Sequence, residues 1–214
     1  MRSLDIKYLQ NLAKSLNVKL PNFFLETGTY KGDTVISLNK YFKKLVTIEI
    51  CEKAYNFSKN RARERGIDNI EFLLGDSALM MNKALEILKN RNAIFFLDGH
   101  VTENQTDFTG KGIHDCPLLQ ELKCISENFK GRGIVIIDDA RLLGMKKCRE
   151  SAYADWSNIT SSSLKESFDE TRVKKWFYTE GGKYIRDKKV KYDANDRIVI
   201  LFNEIKEDNQ EINL

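Results

Sequence analysis

Apolar residues fall in short blocks along the chain, and their spacing switches between a helical and a strand period. Leu4, Tyr8, Leu12 and Leu16 share one face at helical spacing, which predicts a leading helix over 3–17. Residues 22–26 predict a first strand, and 32–41 a helix whose first turn Asp33 or Thr34 can cap. The alternation continues with a strand over 45–50, a helix over 52–65 stopped by Gly66, a strand over 70–74 and a helix over 77–90. A strand over 93–97, a helix over 117–129 opened by Pro117, and a strand over 134–137 follow. Ile134-Val135-Ile136-Ile137 is apolar without a break, as in a strand covered on both faces. Residues 175–178 and 197–202 also read as strands, with no clear helix between them, and predict an antiparallel hairpin at the sheet edge. The whole predicts an α/β fold, a Rossmann-like, doubly wound, mostly parallel sheet with an antiparallel C-terminal edge hairpin.

Only Pro21 and Pro117 interrupt the chain, and no Gly/Ser linker divides it. One domain over 1–214 is expected: a leading helix in 1–20, a ligand-binding core in 21–145, and edge strands with acceptor-side segments in 146–214. With 42% hydrophobic and 31% charged residues the composition is globular. No apolar run approaches the roughly 18 residues of a membrane span, and the first residues carry no secretory-type segment. A cytoplasmic protein without a membrane partner is the expectation. The net charge of +4 comes from 35 basic and 31 acidic residues that are interspersed. The basic runs 61–65 and 183–191 read as solvated faces, so a nucleic-acid partner is not expected. Cys51, Cys116, Cys124 and Cys148 form no C-x-x-C pair, so no zinc site is expected. The polar tail from Asn203 is expected to fray. A homo-oligomer remains open.

The chemistry is concentrated in the turns after the strands. Phe23 to Glu26 is an apolar run ending in an acid, and Gly28 and Gly32 punctuate the turn that follows. The next strand ends in Glu49. A strand, a glycine turn, a helix and a second strand ending in an acid make half of a nucleotide-binding unit, in which the second acid can accept hydrogen bonds from a ribose diol. The remaining strands end at Gly75-Asp76-Ser77, Asp98-Gly99-His100 and Asp138-Asp139, so all five carry a carboxylate at the end where open parallel sheets bind ligands. The turn lacks the three close glycines that seat a pyrophosphate, which disfavours a dinucleotide.

Over roughly residues 20 to 145 the chain resembles the class I S-adenosylmethionine-dependent methyltransferases. The family's acid–x–Gly–x–Gly–x–Gly turn is matched by Glu26, Gly28 and Gly32, with Tyr30 in place of the middle glycine. The resemblance implies S-adenosylmethionine as cofactor. Glu26, Thr27, Gly28, Thr29, Tyr30, Gly32 and Thr34 would surround its methionine part. Glu49, with Ile50 beside it, would hold the ribose hydroxyls. Asp76, between Gly75 and Ser77, would bond the adenine amino group, and Asp98 would complete the site. Asp98-Gly99-His100 is similar to the signature of a subgroup that includes sugar and small-molecule O-methyltransferases. In related O-methyltransferases, acids after the fourth and fifth strands bind Mg2+, and the matching positions are Asp98, Asp138 and Asp139. His100, beside Asp98, is the candidate base, since an imidazole takes a proton near neutral pH. Alternatively, the Asp138-Asp139 pair caps a helix or pairs with Arg141, and His114 serves structure alone.

Residues 101–115 form a long polar loop, either a substrate lid or a surface excursion. Tyr153, Trp156, Trp176 and Tyr178 either stack on an acceptor or pack in the core. The Asp/Asn-Pro-Pro-Tyr tetrapeptide of amino-group nucleic-acid methylation is missing, and so is a Pro-Cys nucleophile. The expected activity is methyl transfer to an oxygen of a small hydroxylated molecule, a sugar or related metabolite, with Asp98 and His100 catalytic. The alternatives are nitrogen methylation or hydroxylation on the same fold, and a cofactor-binding module without catalysis.

Overall fold

A computed structural model describes residues 4–101, 108–146, 154–181, 183–186, 189–192 and 195–203. Cys148, Tyr153 and the tail beyond Asn203 lie outside the described residues.

The leading helix α1 (Ile6–Leu16) is capped by Asp5, whose side chain accepts from the Tyr8 amide, and it ends on Asn17 in the left-handed region. Its apolar stripe buries Leu9, Leu12 and Leu16. Then β1 (Phe23–Thr27), α2 (Asp33–Leu38), β2 (Lys44–Glu49), α3 (Glu52–Glu64), β3 (Ile70–Leu74) and α4 (Ser77–Leu88) alternate as the periodicity predicts. They continue into β4 (Ala93–Leu97), α5 (Leu118–Asn128) and β5 (Gly133–Ile137). Helix α2 is shorter than expected, because its last turn, Asn39–Tyr41, tightens to a 3-10 helix. Its cap is Gly32 in the left-handed region, without a side-chain bond, instead of Asp33 or Thr34. Asp33 pairs instead with Arg61 of α3.

The seven-stranded sheet has the order β3-β2-β1-β4-β5-β9-β6. Its first five strands are parallel, and β9 (Arg197–Phe202) runs antiparallel to both β5 and β6 (Val173–Thr179). The C-terminal pair is therefore present, but its second strand is inserted between β5 and the edge strand β6. Between them lies a separate hairpin of β7 (Lys183–Arg186) and β8 (Lys189–Tyr192) that the periodicity does not reveal. Also unforeseen is α6 (Ser161–Glu166), six residues held by a capping box between Thr160 and Ser163. Helices cover both sheet faces with two apolar clusters. Every residue of β4, β5 and β9 is buried, as central strands with helices on both faces require.

Candidate active site

The carboxyl ends of the five parallel strands open into one crevice of about 670 Å³. At its centre, where the strand order reverses between β1 and β4, the β1 turn crosses the end of β4. Gly28 (φ 82°) lies so close to the Asp98 carbonyl oxygen that a β-carbon would collide with it. Glycine is required there for both its conformation and its size. Tyr30, which replaces the expected middle glycine, adopts the left-handed region (φ 50°). A non-glycine residue pays about 1 kcal/mol for that conformation. The turn is held by the Tyr30 amide, which donates to Glu49 Oε2 at 2.7 Å. The other Glu49 oxygen accepts from the Cys51 amide at 2.8 Å. Burial raises the Glu49 pKa, against the pull of these backbone donors.

Across the crevice, Asp76 caps α4 through Oδ1, which accepts from the Ala78 amide at 3.0 Å. Its Oδ2 accepts from the Ile113 amide at 2.8 Å. Of the residues expected around the cofactor, Gly28, Tyr30, Glu49, Ile50, Gly75, Asp76, Ser77 and Asp98 line the crevice. Glu26, Thr27, Thr29, Gly32 and Thr34 are not among the lining residues. Glu26 is buried and takes the Thr47 hydroxyl at 3.2 Å, while Thr47 and Thr29 share a 2.5 Å bond. Burial pushes the Glu26 pKa well up, and its Oε2 has no hydrogen-bond partner among the described residues. This carboxyl belongs to the support of the turn. Thr27 acts likewise, its hydroxyl accepting from the Asp98 amide at 3.2 Å.

At the other end, His100 is enclosed by acids. Its Nε2 lies 3.0 Å from Asp139 Oδ2 and its Nδ1 lies 3.6 Å from Asp98 Oδ1. The ring meets the edge of buried Trp156 at 5.1 Å. Burial alone would lower the His100 pKa, but the Asp139 bond and the Asp98 charge outweigh it and raise it. Asp98 is pushed well up by desolvation and by the charge of Asp138. Asp139 is held below the usual carboxylate range, because its bonds to His100 and Arg141 overcome burial. Its backbone is left-handed (φ 58°), which turns the side chain between those two partners.

Asp138 is placed differently from the other two expected metal ligands. Its Oδ1 accepts from Nε of buried Arg197 at 2.8 Å. Arg197 also lies 4.8 Å from the centre of the Tyr8 ring, so α1 closes over this ion pair. The group that could hold a cation is instead Asp98, His100 and Asp139, with one ligand atom from each within 4.8 Å of the others. Two carboxylates and an imidazole suit manganese, iron or zinc better than magnesium, which prefers oxygen throughout. The expected pairing of Arg141 is present: it binds Asp139 and also Asp196, the latter at 2.5 Å. Trp156 is in the core, Trp176 packs partly buried against it, and the exposed Tyr178 bonds to Ser161.

Two buried residues of the site were not anticipated. Arg197 opens an apolar strand and reads as an ordinary strand-start cation. Glu121 lies on the buried face of α5 with Leu118, Leu122 and Ile125. An acid in an apolar stripe is the one available signal, and it was legible. Glu121 is 1% exposed, and burial lifts its pKa to about 7 despite bonds to Ser77 and Thr27.

No family model matches the chain, and no curated protein sequence matches it. Solved structures do. An O-methyltransferase from Bacillus cereus in complex with SAH aligns over 94% of this chain and 83% of its own, with TM-score 0.54 and 14% identity. The O-methyltransferase TomG from Streptomyces achromogenes, involved in tomaymycin synthesis and in complex with SAM, aligns over 92% and 79%, with TM-score 0.53 and 18% identity. The chain shares the fold of these structures, a Rossmann-like, mostly parallel seven-stranded sheet with antiparallel C-terminal strands.

Proposed function

We propose that the protein transfers a methyl group from S-adenosylmethionine to an oxygen of a small hydroxylated molecule, a sugar or related metabolite. The observation that carries this reading is the pair of carboxylates, Glu49 and Asp76, facing one crevice that also contains the Gly28 turn and Asp98. Both carboxylates accept backbone donors, from Tyr30, Cys51 and Ile50 on Glu49 and from Ala78 and Ile113 on Asp76, and each keeps acceptor capacity beyond them, since a carboxylate offers about four lone pairs. Glu49 would take a ribose diol and Asp76 an exocyclic amine. The absence of phosphate from this donor agrees with a turn poor in glycine.

The bound donor supplies an electrophilic methyl group. The remaining work is positioning, since holding two reactants together removes the entropic cost of encounter. His100 and Asp98 form the acid–base pair. Their 3.6 Å separation is wider than a hydrogen bond, so both stay open to an acceptor hydroxyl. His100 takes the acceptor proton once its ring is neutral, and Asp139 holds the ring in place. If a divalent cation were held by Asp98, His100 and Asp139, it would lower the pKa of a bound hydroxyl in place of His100 acting as the base.

Calorimetry with S-adenosylhomocysteine tests the reading first. Binding by the wild type and its loss in Glu49→Gln and Asp76→Asn are expected. Transfer of a labelled methyl group to members of a panel of polyols, catechols and amines then identifies the acceptor. A donor that binds without turnover on any acceptor favours the non-catalytic module, and a folded protein that binds no donor refutes both.

A further inference from the structure

The segment from Phe108 to Ile113 packs against the half of the crevice that would hold the nucleoside. Gly110 lies against Ile50 and Cys51, where a β-carbon would come within 2.7 Å of the Ile50 side chain. Gly112 sits against the Asp76 carboxylate, and a β-carbon there would collide with Oδ2. The next amide, of Ile113, donates to that same oxygen. At the start of the segment, Phe108 meets Tyr30 edge-on at 6.2 Å and Phe57 at 5.4 Å. The ammonium groups of Lys31 and Lys53 lie 5.7 Å and 5.4 Å from its ring centre.

These contacts link Tyr30, in the turn after β1, with Ile50 after β2 and Asp76 after β3. From them we propose that 108–113 is a detachable wall of the donor site. Phe108 is its latch, and the Ile113 amide is the positioning group that orients Asp76. The proposal rests on the adenosine donor suggested above. It moves the expected role of this part of the loop from the acceptor to the donor. A donor with its nucleoside between Glu49 and Asp76 lies beneath the segment, so it leaves only when the segment lifts. Lifting breaks the Ile113–Asp76 bond and separates Phe108 from two rings. Wall closure and nucleobase recognition are thereby coupled through one carboxylate oxygen.

Two measurements test this, and the first needs no ligand. Amide hydrogen exchange should find Ile113 protected in the free wild type and unprotected in Phe108→Ala, with the protection of β1 and β4 unchanged. Exchange of the wild-type Ile113 amide at open-loop rates would overturn the wall. In the second, stopped-flow displacement of S-adenosylhomocysteine should show dissociation about tenfold faster in Phe108→Ala, the scale of losing edge-to-face ring contacts. Phe108→Tyr should stay near the wild type. Ile113→Pro, which removes the amide donor and also fixes the backbone at that point, should speed dissociation as well. Equal dissociation rates in all four proteins would overturn the latch. Protection of Ile113 in a wild type that binds no donor would instead refute the donor assignment and leave the wall standing.

Discussion

Glu121→Gln isolates the cost of an ionisable group beneath the site. Gln keeps the shape and the bonding capacity toward Thr27 and Ser77 but cannot ionise. In the folded protein the Glu121 carboxyl has its pKa lifted from 4.5 to about 7, chiefly by burial. A raised folded value means that the wild type is fully stable below about 4.5 and loses stability as pH rises toward 7. The shift of about 2.5 units corresponds to about 3 kcal/mol at 1.36 kcal/mol per unit. The side chain is 1% exposed, so solvent screening does not reduce that figure much. The variant and the wild type should therefore be about equally stable at pH 4.5. By pH 8 the variant should be ahead by about 3 kcal/mol, or roughly 6–12 °C in Tm for a chain of this size. Thermal melts of both proteins from pH 4.5 to 8.5 measure the difference curve, in which the other buried acids cancel. A flat difference, or a variant that falls behind as pH rises, would refute the argument.

Arg197→Met should cost about 3–5 kcal/mol in chemical denaturation, because it leaves Asp138 charged and buried without its partner, whereas Arg197→Lys should recover part of the loss. The rate of methyl transfer should fall as pH drops through a value above 6.5, the ordinary pKa of histidine, because the raised His100 must lose its proton to act as a base; a pH–kcat profile with its acid limb below 6 would contradict that role. His100→Gln should lower kcat by roughly 10²–10⁴ while leaving the affinity for S-adenosylhomocysteine within a few-fold, read by calorimetry. Gly28→Ala should abolish donor binding, since a β-carbon meets the Asp98 carbonyl and the left-handed backbone disfavours any side chain.

The parallel half of the fold was legible because its signals are local. Each buried strand is a short apolar block, and each helix carries its own stripe and stop. The C-terminal third was not. There α6 is six residues long, and the β7–β8 hairpin is short and charged, so neither offers a period to read. The insertion of β9 between β5 and β6 depends on long-range pairing. In the site, the acids at strand ends were legible as a set, and Glu49, Asp76 and Asp98 line the crevice. Side-chain partnership was legible only for Arg141: Asp138 and Asp139 are neighbours in sequence, yet one is paired with Arg197 and the other with His100 as well as Arg141. The αL backbone of Asp139 separates them, and nothing in the residue types announces it.

The Arg197 ion pair also has a consequence for how the protein is made. Tyr8 leaves the ribosome long before Arg197, yet the two rest on one another. Until Arg197 is released, Asp138 has no counter-charge and β5 has no neighbour on its outer side. Domains tend to fold as whole units during synthesis. A chain released only through β5 would present an open sheet edge and a stranded acid, the kind of transient surface that makes partly folded chains aggregation-prone.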